Sequence, residues 1–283
     1  MKFVPMITLL NKALAEGYAV PSFCVWNAET MMTVLKTAKK LDSPVILMNG
    51  PGEFPLLPPE VMGKTAHSLP VENPVPSALH LDHGDSLEQV RACIDAGYTS
   101  VMLDFSSKTF DENAGALKEV VKIAHPLGIT VEGEIGSVGK VGDSTLEGGM
   151  ISTLTDPDEA YEYAVKTGVD TLAISIGNAH GHYTKLPEFR FDILSEVYSR
   201  VKIPIVLHGG SGTPDEDIKK AISLGIAKVN VASELNSAFR DSLKTQWNSG
   251  LNPWSPLAMT EALKYIGTVV EKWIIRLGSA GKA

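Results

Sequence analysis

The sequence predicts a (β/α)8 barrel. Three observations predict it: eight short, near-continuously apolar runs, amphipathic helical patterns between them, and glycines that close helices just ahead of a strand. Of the 283 residues, 44% are apolar and 20% charged, which suits a large core and is too apolar for a disordered chain. The length alone would fit two average domains. An α/β barrel of roughly 250 residues is one domain, however, and no composition break divides this chain. The expectation is a single domain over residues 1–283, with an extra C-terminal helix.

The strands are expected at residues 19–26, 44–48, 78–83, 100–104, 130–136, 171–177, 203–209 and 228–233. Most are apolar along their whole length rather than alternating, as strands buried on both faces of a parallel sheet must be. Helices are expected at 7–16, 29–41, 86–96, 111–125, 156–167, 191–201 and 214–224, where apolar residues recur every three or four positions. Asp85 or Ser86, Thr155-Asp156-Pro157 and Thr213-Pro214-Asp215-Glu216 supply caps and first turns. Gly97, Gly168 and Gly225 end helices and precede strands in AGYTSVML, TGVDTLAI and LGIAKVNV, a weak internal repeat of one βα unit. An open doubly wound sheet is the competing architecture, but no Gly-rich dinucleotide fingerprint follows the first strand. Residues 50–59 form a Pro- and Gly-rich insertion. Residues 137–154 are polar, Gly-rich and long enough to act as an active-site lid. Residues 257–277 read as a long helix that caps the barrel bottom or packs on another subunit.

Charge narrows the partners. With 25 Lys+Arg against 33 Asp+Glu, the net charge of −8 disfavours a nucleic-acid surface but allows a local pocket for an anionic substrate. Cys24 and Cys93 lie in apolar stretches and read as reduced, buried thiols. No segment reaches the ~20 apolar residues of a membrane span, and Met1-Lys2-Phe3-Val4-Pro5 lacks a signal-peptide pattern. A cytoplasmic protein is expected.

In a barrel the chemistry stands at the C-terminal ends of the strands. There the sequence places Asp82 and His83 in HLDHG, Asp104, Glu134, His180 in GNAHGHY, His208 in LHGGSG, and Asn230 and Ser233 in NVAS. A lone strand-end histidine is usually structural. Three on one rim are hard to explain by packing, and three imidazoles around an open position make a catalytic Zn²⁺ site. Asp104 and Glu134 are candidates for orienting those ligands or for an alternative metal position. His80 reads as core or support, His67 and His125 as surface or packing, and His182 is ambiguous. Gly209-Gly210-Ser211-Gly212 and Asn230-Val231-Ala232-Ser233 each precede a helix, and exposed amides after the seventh and eighth strands cradle phosphate in this fold. Tight turning alone is the blander explanation of those glycines. No strand ends in lysine: Lys228 is expected at the barrel bottom, and Lys140 and Lys185 fall in loops. Schiff-base chemistry would need a desolvated lysine in the barrel, so a metal is the favoured electrophile. Metal, phosphate cradle and carboxylate together suit a phosphorylated carbonyl compound, whose enediolate a Zn²⁺ Lewis acid stabilises. A regular strand would point Asp82 and His83 to opposite sides; a bend at the strand end would bring both to the substrate.

At HLDHG, AHG and LHGGSG, and through AVPSFCVWN, VMLD, VEGEIG, GIAKVNVASEL and LGSAGKA, the chain resembles the class II, metal-dependent fructose- and tagatose-bisphosphate aldolases. The resemblance implies a barrel that reversibly splits a ketose phosphate into dihydroxyacetone phosphate and an aldehyde. It implies Zn²⁺ or another divalent metal on His83, His180 and His208, with Asp104 and Glu134 at a second or displaced metal position. It implies Asp82 as the proton carrier on the hydroxyl next to the breaking bond. It further implies a dihydroxyacetone phosphate cradle of Gly181, Gly209, Gly210, Ser211, Asn230, Val231, Ala232 and Ser233, assisted by Na⁺ or K⁺, and a homodimer or homotetramer.

Three departures from the family pattern bear on the substrate. The lid acid position falls on Gly142, leaving Asp143 or Glu147 as its replacement. The strand-two serine falls on Gly50 in LMNGPG. The DPR arginine that holds a distal phosphate is replaced by Trp254 in Asn252-Pro253-Trp254. Losing a bidentate guanidinium removes the main partner of a second phosphate. The expected substrate is a ketose 1-phosphate whose aldehyde end meets Asn27, Asn49 or Trp254, with a ketose 1,6-bisphosphate as the alternative. A metal-dependent sugar-phosphate isomerase or epimerase, and a degenerate sugar-phosphate binding protein, are the competing functions.

Overall fold

The computed structural model describes residues 2–72, 74–140, 153–181, 187–251 and 254–283. Eight parallel strands close into a barrel: β1 (Val20–Cys24), β2 (Val45–Asn49), β3 (Ser77–Gly84), β4 (Ser100–Leu103), β5 (Thr130–Ile135), β6 (Thr171–Ile174), β7 (Ile205–Leu207) and β8 (Ile226–Val231). Each strand lies beside its sequence neighbours, and β8 returns to β1 with Val20 opposite Lys228 and Ser22 opposite Asn230. The helices are α1 (Met6–Glu16), α2 (Ala28–Lys40), α3 (Pro59–Ser68), α4 (Leu87–Asp95), α5 (Phe110–Ala124), α6 (Pro157–Thr167), α7 (Phe191–Val201), α8 (Asp215–Ser223), α9 (Ser233–Asn248) and α10 (Ser255–Arg276). All eight expected strands are present, which makes the (β/α)8 expectation correct.

Local sequence explains the element boundaries. Asn27 and Thr30 form a reciprocal capping box on α2, as do Thr109 and Glu112 on α5; Ser86 and Asp156 cap α4 and α6. Gly168 ends α6 in the left-handed conformation at φ 74°, which a glycine adopts without a Cβ clash. The missed helix α3 begins at Pro59, a residue preorganised for a first helical turn, inside the stretch that composition marks as a loop.

One end of the barrel is sealed and the other left open. Helix α1 lays Met6, Leu9, Leu10 and Ala13 against Val20, Ile46, Ala78 and Ala227 near the N-terminal ends of the strands, forming a separate apolar cluster. The Ile7 N–H donates to Thr130 Oγ1 at 3.0 Å, tying this helix to β5. The C-terminal helix α10 does not cap that end. It packs on the flank against α2 and α9, burying Ala262, Ile266, Val270 and Trp273, a stripe at three- and four-residue spacing. At the open end, residues Gly139–Lys140 pair in parallel with Ala179–His180, and Ser137 bridges Thr153. The remainder of the expected lid, including Gly142, Asp143 and Glu147, lies outside the described residues, as do His182, Lys185, Asn252 and Pro253.

Candidate active site and metal centre

The open end holds a cavity of about 450 Å³ lined by, among others, Asn49, Asp82, His83, Asp104, Glu134 and His180. Each comes from the end of a different barrel strand or the loop after it, apart from the adjacent Asp82 and His83. Adjacent residues on a regular strand face opposite ways. His83 escapes that rule because its backbone is left-handed, φ 47°, and the β3–β4 register slips between Leu81 and Gly84. Such a conformation is costly for a residue with a Cβ. The bend brings both side chains to the cavity.

The His83, His180 and His208 rings converge. Ring centroids are 4.6 Å apart for His83 and His208, 5.0 Å for His83 and His180, and 5.6 Å for His180 and His208. One nitrogen from each lies within 4.8 Å of the others. The opposite nitrogens are held by carboxylates. His83 Nδ1–H donates to Asp104 Oδ2 at 2.8 Å, and His208 Nε2–H to Glu132 Oε1 at 3.0 Å. A carboxylate accepts only, so in the neutral ring each pairing sets the tautomer and turns the lone pair to His83 Nε2 and His208 Nδ1. Against burial, the Asp82 and Asp104 charges raise the His83 pKa to about 10, so a cation seated there displaces a proton. Both of those nitrogens are buried without a hydrogen-bond partner. Two orphaned imidazole nitrogens facing a common point, with a third ring beside them, fit a divalent cation such as Zn²⁺.

Asp104 is anchored in turn by the Ser106 N–H at 3.0 Å and Oγ–H at 2.7 Å. Burial opposes its ionisation, but His83 outweighs that and holds the carboxyl well below its ordinary range. Glu134 is the opposite case: burial and the neighbouring Asp104 charge push it up to about 8. Its Oε2 is also unpartnered, 3.5 Å from His208 Nδ1. With His83 and Asp104 it forms a second set of donors within metal-holding distance.

Beneath the histidines lies a charged layer that the sequence reading placed wrongly. Strand β8 begins at Ile226, not Lys228, so Lys228 stands mid-strand inside the barrel rather than at its bottom, fully buried. Its Nζ donates to Glu132 Oε2 at 2.7 Å and lies 3.2 Å from His80 Nε2, while His80 Nδ1 meets Ser100 Oγ at 2.8 Å. A desolvated lysine therefore does occupy the barrel, but as the counterion of Glu132. Glu132 itself was missed; it lies two residues before Glu134, the spacing that shares a strand face.

Asp82 faces the same cavity, with Asn230 Nδ2 donating to its Oδ1 at 2.9 Å. Burial raises its pKa, but the surrounding imidazoles and Lys228 lower it further, so the carboxylate form prevails. A smaller cavity of about 50 Å³ adjoins it, lined by Gly181, Gly209, Ser211, Asn230, Ala232 and Ser233 together with Met48, Asp82 and His180. Gly209 has φ 69°, and a Cβ there would lie 2.0 Å from the Ala179 carbonyl oxygen, so only glycine fits. Helix α9 starts at Ser233; its N-cap residue Ala232 offers no side-chain cap, the Ser211 hydroxyl accepts the Glu234 N–H at 3.3 Å, and the helix N-terminus faces this cavity. Gly210 and Val231 do not line it: the Gly210 N–H donates to the Asn230 carbonyl, and Val231 is core.

The far end of the large cavity differs from the sequence reading. Asn49 lines it, accepting the Tyr98 hydroxyl at 2.6 Å and leaving Nδ2 unpartnered. Asn27 caps α2 instead, and Trp254 is two-thirds exposed; neither lines the cavity. Cys24, taken as a buried core thiol, lines it, whereas Cys93 is core. Glu53, absent from the sequence-based candidates, lines it too. Its Oε2 accepts the Gly50 N–H at 2.8 Å.

Comparison with known proteins identifies the family. The family model for fructose-bisphosphate aldolase class-II matches residues 4–282. The crystal structure of the YdjI aldolase from Escherichia coli K12 is 36% identical, covers 99% of both chains and superposes with a TM-score of 0.85. A candidate fructose-1,6-bisphosphate aldolase from Coccidioides immitis is 27% identical over 97% of this chain and 96% of that one, with a TM-score of 0.86. The fructose-bisphosphate aldolase of Campylobacter jejuni, 24% identical over 100% of this chain and 97% of its own, has a TM-score of 0.84 and speaks for the fold. Matched over nearly its whole length, this barrel enzyme belongs to the class II fructose-bisphosphate aldolases.

Proposed function

We propose that the enzyme is a divalent-metal-dependent aldolase that reversibly cleaves a ketose 1-phosphate into dihydroxyacetone phosphate and an unphosphorylated aldehyde. The observation that carries this reading is the pair of orphaned imidazole nitrogens, on His83 and His208, facing His180 beside the glycine-lined pocket. When bound to the three imidazoles, a divalent cation, with Zn²⁺ the first choice for an all-nitrogen set, would supply Lewis-acid polarisation of the substrate carbonyl and adjacent hydroxyl. The chain's own groups do the rest. Gly181, Gly209, Ser211 and Ser233, with the α9 N-terminus, bind the phosphate, aided by a monovalent cation, Na⁺ or K⁺. Asp82, held by Asn230, removes the proton from the hydroxyl next to the breaking bond and returns it in the synthesis direction. Asp104 and Glu132 hold the histidine rings in register. Glu134 and Asp104 form the alternative cation position. The proton step on dihydroxyacetone phosphate falls to the lid, with Asp143 as the candidate acid. A cytoplasmic homodimer or homotetramer is inferred from the family resemblance. Among the described residues, no helix is long and apolar enough to cross a membrane.

A coupled reductase assay for dihydroxyacetone phosphate release tests this. Fructose 1-phosphate and tagatose 1-phosphate are compared with their 1,6-bisphosphates, before and after chelation and Zn²⁺ repletion. Activity is expected with the monophosphates, lost on chelation and restored by metal. Asp82→Asn is expected to lower kcat by about 10²–10⁴ with metal content unchanged. Undiminished turnover after thorough chelation, or isomerised product without release of dihydroxyacetone phosphate, overturns the reading.

A further inference from the structure

The large cavity meets the small one at Asp82, His180 and Ala232 and then runs outward to Cys24, Gly50 and Glu53. A ketose with its phosphate in the small cavity sends its other end toward that outer wall. Three features of the wall are unsuited to an anion. First, the charged side chain on that wall is a carboxylate, Glu53, and among the described residues no lysine or arginine lines the cavity. Second, the Gly50 N–H, a backbone donor at the end of a barrel strand, is already donated to Glu53 Oε2 at 2.8 Å, so the protein supplies its own anion at that place. Third, no serine can replace Gly50 on this backbone, because a Cβ would lie 2.1 Å from the Asp82 carbonyl oxygen.

We propose that Glu53 is a specificity-determining residue that accepts hydrogen bonds from the hydroxyls of a neutral polyhydroxylated aldehyde end and excludes an anionic one. The assignment rests on the aldolase reading above and names the substrate class on its undetermined side. A carboxylate has about four acceptor positions and no donor. On Glu53 the Gly50 N–H takes one and the Cys24 Sγ, 3.5 Å from Oε1, a second; the others remain for substrate hydroxyls. At Glu53 a phosphate or carboxylate, which brings only acceptors and negative charge, finds no donor and is repelled. Burial and the Asp82 charge raise the Glu53 pKa, the response of a carboxylate already short of positive neighbours.

The test is aldol synthesis by the metal-loaded enzyme from dihydroxyacetone phosphate and either D-glyceraldehyde or D-glyceraldehyde 3-phosphate, which differ only in the phosphate. The readout is the ratio of kcat/KM for the two aldehydes, in which any loss of folded enzyme cancels. Wild type is expected to favour D-glyceraldehyde, and both Glu53→Gln and Glu53→Ala to move the ratio toward the phosphorylated aldehyde by about tenfold or more. A wild-type preference for D-glyceraldehyde that neither variant changes overturns the role of Glu53 alone. A wild-type preference for D-glyceraldehyde 3-phosphate overturns the single-phosphate substrate as well.

Discussion

Among the described residues three sets of donor atoms inside the barrel lie close enough to hold a metal, and two of them have opposite chemistry. At the rim stand His83, His180 and His208; below them stand His80, Asp82 and Glu132. The lower cluster already contains a cation, since the Lys228 ammonium lies 2.7 Å from Glu132 and 3.2 Å from His80. The upper one keeps two unpartnered nitrogens and a left-handed backbone at His83. Proximity of donors therefore does not mark a metal site. Unsatisfied lone pairs in a strained frame do.

The comparison breaks most severely at the rim. His208→Ala removes one of the three proposed ligands, and kcat/KM is expected to fall on the order of a thousandfold or more. Elemental analysis of protein purified without chelator should show Zn²⁺ far below stoichiometric; full metal occupancy in that variant would sink the three-histidine assignment. In the lower cluster, Lys228→Met strands a buried carboxylate and should cost about 3–5 kcal/mol in urea unfolding. The double variant Lys228→Met/Glu132→Gln should recover much of that loss, because the stranded charge is gone. Equal instability of single and double variants would show that the ion pair is not the cause.

The smallest effect sharpens the picture of the lower layer. Burial and the Lys228 charge push His80 down to about 3. Its unfolded value is about 6.5, so the unfolded chain binds the extra proton first as pH falls. The stability that neutral His80 confers is full above pH 6.5 and drains away toward pH 3. Between pH 7 and pH 5 wild type should lose about 2 kcal/mol more than His80→Gln. Parallel unfolding curves for the two proteins over that interval would contradict it.

The fold was legible because parallel barrel strands are buried on both sides, and continuous apolar runs announce that. The three histidines were legible because strand ends are where a barrel works. What escaped depended on backbone detail. Asp82 and His83 share a cavity only through a positive φ, which alternation forbids and sequence does not announce. Lys228 was assigned to the bottom because two residues of strand, Ile226 and Ala227, were read as part of the preceding turn. Glu132 had a signal that went unused, its two-residue spacing from Glu134. Glu53 had none: it reaches the cavity through a loop rich in proline and glycine, where periodicity carries no information. Trp254 was placed by motif position alone, and the chain carries it elsewhere.

The contact between Gly50 and the Asp82 carbonyl couples two parts of the molecule that selection would otherwise treat separately. Any side chain at position 50 pushes on the strand that carries Asp82, the proposed proton carrier, so retuning the outer wall from that position is expected to lower turnover. Retuning the aldehyde end therefore falls to residues 51–53, which line the same cavity. A library built to change the aldehyde should leave position 50 alone and vary those three.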